Sequence, residues 1–194
     1  MTSTKNGVRA FAVVAAAAAM GMVLAGPAEA KELAGVNLPD TATVAGKTLK
    51  LNGMGLRKKA IFKVYVGGLY LEAPSKDAAA ILAADAPREL AMQFLREVDK
   101  AKLAETYREG FAANAPDKAA AQKANVDKFL AWVADVKDGT KWAITYVPGK
   151  GTTLALDGKE AGTIEGKDFA DLVFSLWLGP KPPSEDLKKG LLGG

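Results

Sequence analysis

Arg57 follows the run Gly53-Met54-Gly55-Leu56 and precedes a long β-branched and aromatic stretch. A guanidinium beside an apolar sheet can hold a carboxylate or phenolate through two parallel hydrogen bonds. Lys58 and Lys59 adjoin it, so a solvated charge is the competing reading. Tyr65 and Tyr70 lie five apart in that stretch, which puts them on opposite faces of a regular strand. A bulge at Gly67-Gly68 would reset that phase. Tyr107 and Asn114 are seven apart, nearly two helical turns, on a face shared with Leu103 and Phe111. A polar group on such an apolar stripe must find a partner or line a cavity. Asn114, just before Ala115-Pro116, suits a helix C-cap equally well.

What the chain lacks narrows the chemistry further. It has no histidine and no cysteine. Transition-metal sites normally draw on those ligands, so no metal is expected. Ser-His-Asp and Cys-His nucleophilic machinery is excluded. Any chemistry must run on Arg, Lys, Tyr, Asp, Glu or backbone groups. No cofactor is expected either. Gly53-Met54-Gly55 is too short for a dinucleotide fingerprint, and Pro148-Gly149-Lys150-Gly151 lacks phosphate-loop spacing and reads as a hairpin turn. The net charge of +4 is small and scattered, which argues against nucleic acid.

These residues need elements to position them. Thr41 to Leu51 reads as a short hairpin around Gly46-Lys47, and Asn52 to Gly55 as a loop. Ile61 to Leu71 reads as a long strand, kinked or bulged at Gly67-Gly68. Ser75 suits the N-cap of a short helix through Ala83. Glu89 to Arg96 alternates as a half-buried strand. A helix runs from Asp99 or Lys100 to about Asn114, with Gly110 weakening its middle. A second helix covers roughly Ala119 to Val136. Three strands follow, Lys141–Val147, Thr152–Leu156 and Glu160–Glu165, the last two joined by the turn Asp157-Gly158. Asp168 to Trp177 is an apolar helix, and Ser184 caps a final one. Residues 31–40 read as a lead-in. The order predicts an α+β fold, an antiparallel sheet covered by helices on one side.

The amino terminus has a separate pattern. Lys5 and Arg9 precede an apolar run from Ala10 to Ala25 of about 16 residues, short of the roughly 20 that span a bilayer. Ala28-Glu29-Ala30 then supplies a small-x-small end. That is the pattern of a removable secretion signal over residues 1–30, ahead of one domain over residues 31–194. Cleavage after Ala30 removes Lys5, Arg9 and Glu29 and leaves 164 of the 194 residues, with the charge falling from +4 to +3. A periplasmic or secreted location follows, with no stable membrane anchor after cleavage. Without cysteine, such a domain is held by its core alone.

Two stretches resemble a known family. Gly53-Met54-Gly55-Leu56-Arg57, followed by Phe62-Lys63-Val64-Tyr65-Val66-Gly67-Gly68-Leu69-Tyr70-Leu71-Glu72, resembles the opening of chalcone isomerase and its non-catalytic fatty-acid-binding relatives. Trp177-Leu178-Gly179, Pro183, Leu187-Lys188 and Leu191-Leu192-Gly193 are similar to the ending of the bacterial chalcone-isomerase-like branch. The resemblance spans essentially Leu33 to Gly193. It implies an open-faced β-sandwich, an antiparallel sheet layered with helices, with a ligand cleft between them. It also implies site roles. Arg57 matches the plant enzymes' cleft arginine, which stabilises developing negative charge. Tyr107 and Asn114 match a helical Tyr and Asn of those enzymes in type and spacing, so Arg57, Tyr107 and Asn114 form the candidate catalytic set. Two positions depart: the strand threonine aligns with Tyr65, and the late-helix threonine aligns with Leu176, its neighbour with Trp177. In the fatty-acid-binding branch an Arg and a strand Tyr hold a carboxylate, which Arg57 and Tyr65 suit.

The departures favour an exported protein that binds an acidic amphipathic small molecule, a fatty acid or a phenolic. Arg57, Tyr65, Tyr107 and Asn114 are the expected ligand-binding residues. Two alternatives stand beside it. One is an intramolecular lyase of the chalcone isomerase type, whose cyclisation needs charge stabilisation and no side-chain nucleophile. The other is an interaction module whose cleft is filled by Trp177 and Tyr65.

Overall fold

The computed structural model describes residues 1–2 and 30–194. The expected leader therefore lies outside the described residues, apart from its ends. The chain from Thr41 onward builds one seven-stranded antiparallel sheet whose strands lie side by side in chain order. They are β3 (Thr41–Val44), β4 (Lys47–Lys59), β5 (Phe62–Leu71), β6 (Arg88–Phe94), β7 (Lys141–Val147), β8 (Gly151–Leu156) and β9 (Lys159–Ile164). Residues 30–39 are not a lead-in. They form a separate hairpin, β1 (Ala30–Leu33) with β2 (Val36–Pro39).

Period-two alternation divides the sheet's side chains between two cores. On β5, Tyr65, Leu69 and Leu71 join the larger cluster, and Val66 and Tyr70 join the smaller one. The larger cluster is roofed by α2 (Lys100–Asn114), α4 (Lys123–Trp132), α5 (Lys167–Leu178) and α6 (Glu185–Leu191). The smaller lies beneath the β1–β2 hairpin, where Val36 and Leu38 are buried. Helices thus cover one face, as the element order predicted, and a hairpin covers part of the other.

The alternation of β5 continues unbroken through Gly67-Gly68, so the expected bulge is not there. Tyr65 and Tyr70 accordingly face opposite cores. The register shifts fall elsewhere, at Asn52 on β4 and at Val64 on β5. Asn52 to Gly55 is not a loop but the middle of the thirteen-residue β4. The glycines serve close packing. A Cβ on Gly53 would meet the Gly190 carbonyl oxygen at 2.1 Å, and one on Gly55 would meet the Leu187 carbonyl oxygen at 2.3 Å. Helix α6 therefore lies directly on the strand backbone, which no other residue type permits. The Asn52 amide donates to the Leu191 and Ser75 carbonyls and so ties the bulge to α6.

Two helix boundaries also differ from expectation. α1 (Ala78–Ala83) is capped by Asp77, which accepts from the Ala79 and Ala80 amides, and Ser75 accepts instead from the Asp77 amide. The helix expected over Ala119 to Val136 is two, α3 (Pro116–Ala121) and α4, parted at Gln122. α5 is buried almost all round, from Phe169 through Leu178, which makes it the central helix of the roof. Gly110 sits in α2 where a Cβ would meet Leu176 of α5 at 2.6 Å, so its helix-weakening effect is offset by close helix–helix packing. No helix among the described residues is long and apolar enough to cross a membrane.

Candidate functional site

A cleft of about 530 Å³ opens between the start of β5 and helices α2 and α5. Its volume lies within the roughly 300–1,000 Å³ usual for small-molecule sites. Arg57, Tyr65 and Tyr107 all line it. Local structure brings the first two together. Arg57 on β4 is the cross-strand partner of Tyr65 on β5, beside the bulge at Val64. Bulges commonly re-aim side chains at functional sites, and this one sits where β5 enters the cleft. Tyr107 reaches the same space from α2. Its ring packs edge-on against Trp177, with centroids 5.9 Å apart.

The polar groups of this trio are unevenly satisfied. The Trp177 indole nitrogen donates to the Tyr65 hydroxyl at 2.8 Å. The Tyr65 oxygen thus accepts, and its own proton meets no acceptor among the described residues. The Tyr107 hydroxyl is buried and has no hydrogen-bond partner among them. Arg57 donates to the Pro183 carbonyl at 2.6 Å and to the Lys58 carbonyl at 3.2 Å, and has no carboxylate partner among the described residues. Burial pushes the Tyr65 phenol up to about 12, against the smaller opposing pulls of Trp177 and Arg57. Burial also holds the Tyr107 phenol well above its ordinary range, and the neighbouring Tyr65 adds to the effect. Both therefore stay protonated donors near neutral pH. Two phenols and a guanidinium thus line one cleft as hydrogen-bond donors, beside the carboxylates of Glu97, Asp99 and Glu109.

Asn114 is placed apart from these three. It does not line the cleft. Its side chain clamps the chain after α5, donating to the Lys181 carbonyl at 2.9 Å and accepting from the Lys181 amide at 2.8 Å. It also donates to the Gly110 carbonyl within its own helix. A Cβ on Gly179 would strike its oxygen at 2.3 Å. Asn114 thus holds the chain two residues before Pro183, whose carbonyl receives Arg57.

Further lining residues escaped the reading of the sequence as site groups. Val64, Leu103 and Leu176 supply apolar wall, and Trp177 closes the floor against Tyr65. The two rings seal one side without filling the space. Phe62 and Arg96 stand at the rim, with the guanidinium 4.5 Å from the ring centroid. The sequence signal for Leu176 was its departure from a threonine position of the resembled enzymes, and Trp177 beside it was named only as a side chain that would fill the cleft. Arg96 carried none, because its role depends on β5 and β6 pairing. Among the described residues no cluster of three or more carboxylates gathers to hold a metal.

Comparison with known proteins agrees with this architecture. No curated protein sequence matches the chain. The fold is similar to the crystal structure of a fatty-acid binding protein of Arabidopsis thaliana, with a TM-score of 0.67 and 16% identity. The match covers 84% of this chain and 96% of that one. At that identity the likeness establishes the fold. A sequence model of the chalcone isomerase-like family matches residues 30–193. The match runs through the described domain from β1 to the end of α6, and the chain belongs to the chalcone isomerase-like family.

Proposed function

We propose that the cleft binds an acidic amphipathic small molecule, of the fatty-acid or phenolic-acid class, without converting it. The observation that carries this is the Tyr107 hydroxyl, buried without a partner among the described residues, on a side chain that lines the cleft with Tyr65 and Arg57. Leaving such a group unsatisfied costs about 1–3 kcal/mol, a cost that a bound acceptor removes. A carboxylate meets that need: Arg57 supplies charge, and the two phenols supply donors. Val64, Leu103, Leu176 and the Trp177 ring provide the surface for an apolar tail. The Arabidopsis protein of the same fold is a fatty-acid binding protein, which supports the assignment. Asn114 takes a positioning role through the segment that receives Arg57.

Two features speak for binding over turnover. Neither phenol is a base at neutral pH, and apolar Leu176 and Trp177 stand where the resembled enzymes carry hydroxyl chemistry. The test is mass spectrometry of ligands that co-purify with the native protein, repeated on Arg57→Ala. Loss of an acidic amphiphile in the variant is expected, and retention at wild-type level refutes the role of Arg57. Mixing the protein with chalcone and following its absorbance separates the readings, since acceleration over the spontaneous rate establishes a lyase.

Export belongs to the same proposal, resting on the pattern of residues 1–30. Intact mass of the mature protein tests it. A chain beginning at Lys31 is expected, and a surviving Met1 overturns it.

A further inference from the structure

The hairpin joining β4 to β5 projects beside the cleft and is built unlike the rest of the surface. Residues 58–63 are all exposed. Its two-residue turn is Ala60-Ile61, with Ala60 at a φ of 52°. Ile61 is 86% exposed and Phe62 53% exposed. Apart from Met1, they are the only large apolar side chains so exposed among the described residues. Isolated surface hydrophobics are ordinary, but two adjacent bulky ones at a hairpin tip are not.

The charge carried by the hairpin itself is of one sign, although Glu105 of α2 lies near enough to Lys59 to feel its charge. Arg57, Lys58, Lys59 and Lys63 surround Ile61 and Phe62, and the segment from 57 to 63 holds no acid. Arg96 adds a further cation stacked on the Phe62 ring. Lys58 is moreover the direct cross-strand partner of Lys63. Like charges placed opposite one another weaken a hairpin, so the fold itself gains nothing from this pair. The acids that line the cleft, Glu97, Asp99 and Glu109, come from the β6–α2 side and not from the hairpin.

From this arrangement we infer that the β4–β5 tip docks reversibly on an anionic lipid bilayer, with Ile61 and Phe62 entering the interface and the lysines meeting acidic headgroups. Long, flexible lysines around a small apolar wedge suit a diffuse charged surface, where each cation near the membrane adds attraction. Two side chains without a lipid anchor bind marginally, which suits exchange over residence. The tip is continuous with the ligand site, because Lys59, Phe62 and Arg96 belong to both. Docking there would bring the cleft's rim to the bilayer, the source of acyl amphiphiles. That use rests on the proposed ligand, whereas the docking itself rests on the tip alone.

Co-sedimentation with vesicles tests the docking, and calorimetry of the same variants with a free fatty acid keeps it apart from the ligand site, which shares Phe62. One set holds equal parts phosphatidylcholine and phosphatidylglycerol, the other phosphatidylcholine alone. Wild-type protein is expected to bind the anionic set, weakly or not at all the neutral set, and less as salt rises. I61S/F62S is expected to lose about tenfold or more in affinity for the anionic vesicles while unfolding at the wild-type temperature. K58E/K63E is expected to lose the preference for anionic vesicles. Tryptophan emission from Ile61→Trp is expected to shift to the blue on those vesicles. Equal binding by wild type and I61S/F62S overturns the proposal, since it leaves an association by surface charge alone with no apolar insertion. Absence of binding to either set overturns it outright.

Discussion

The indole nitrogen of Trp177 donates to the phenol oxygen of Tyr65 at 2.8 Å. That bond joins the central helix α5 to strand β5 at the floor of the cleft and orients the Tyr65 proton away from Trp177. Trp177→Phe removes the donor and keeps an apolar ring. The expected result is a loss of about 1–3 kcal/mol in stability, read by urea unfolding, because a buried acceptor is left without its partner. Ligand affinity is expected to fall with it, since the Tyr65 hydroxyl is no longer held in one orientation.

Tyr107→Phe should separate stability from function. The hydroxyl it deletes is buried and unpartnered among the described residues. Removing it relieves a desolvation cost, so the ligand-free variant is expected to resist urea as well as wild type or better, by up to about 1 kcal/mol. Affinity for an acidic amphiphile, measured by calorimetry, is expected to drop. A variant that loses stability and keeps affinity would show that the hydroxyl serves the fold instead.

Alkaline pH should unfold the protein through its tyrosines. Burial raises Tyr65 and Tyr70 to about 12 from an ordinary value of 10.0, and it raises Tyr107 as well. Below pH 10 the phenols are protonated in both the folded and unfolded chain, and their contribution to stability is fully present. As pH rises from 10 towards 12, the unfolded chain releases protons that the folded one retains, and stability falls. Each such tyrosine adds a slope of about 1.4 kcal/mol per pH unit. Denaturant midpoints measured across that window should fall steeply, and phenolate absorbance should rise together with unfolding, not before it.

Away from the cleft, the buried charge of Arg88 is paired directly with one carboxylate, with Asp85 a weaker neighbour. Arg88 is 1% exposed, donates to Asp171 of α5 at 2.8 Å, and lies between the Tyr146 and Phe174 rings. Asp171→Asn keeps the shape and removes the countercharge. The expected cost is up to about 3–5 kcal/mol, because a buried cation loses its direct countercharge and keeps only the weaker pull of Asp85. Thermal unfolding of the variant measures it.

The main sheet was largely legible. Alternating apolar residues marked β5, β6 and the β7–β9 strands, and Asp157-Gly158 announced the last turn. The β1–β2 hairpin was not, because its turn is Ala34-Gly35 with Ala34 at a φ of 53°. Alanine rarely takes that left-handed conformation, so no Asn-Gly or Asp-Gly signal was there to read. Gly53 and Gly55 looked like a loop for a related reason. Their small size answers to α6, more than 130 residues away, and nothing local distinguishes a packing glycine from a turn glycine.

The candidate site divides along the same line. The helix expected to about Asn114 is α2 and carries both Tyr107 and Asn114, although only Tyr107 is buried and lines the cleft, and the five-residue spacing of Tyr65 and Tyr70 split them between two faces. Absence of histidine and cysteine confined the chemistry to cations, phenols and carboxylates. These are properties of composition and of short-range period, which any stretch carries within itself. Which polar groups find partners was decided only in three dimensions. Asn114 is satisfied by Lys181, 67 residues on, Arg57 by Pro183, 126 residues on, and Tyr65 by Trp177, 112 residues on. Tyr107 is left without one among the described residues. Helical and strand periods determine which face a side chain occupies, but the packing of distant elements decides what waits there.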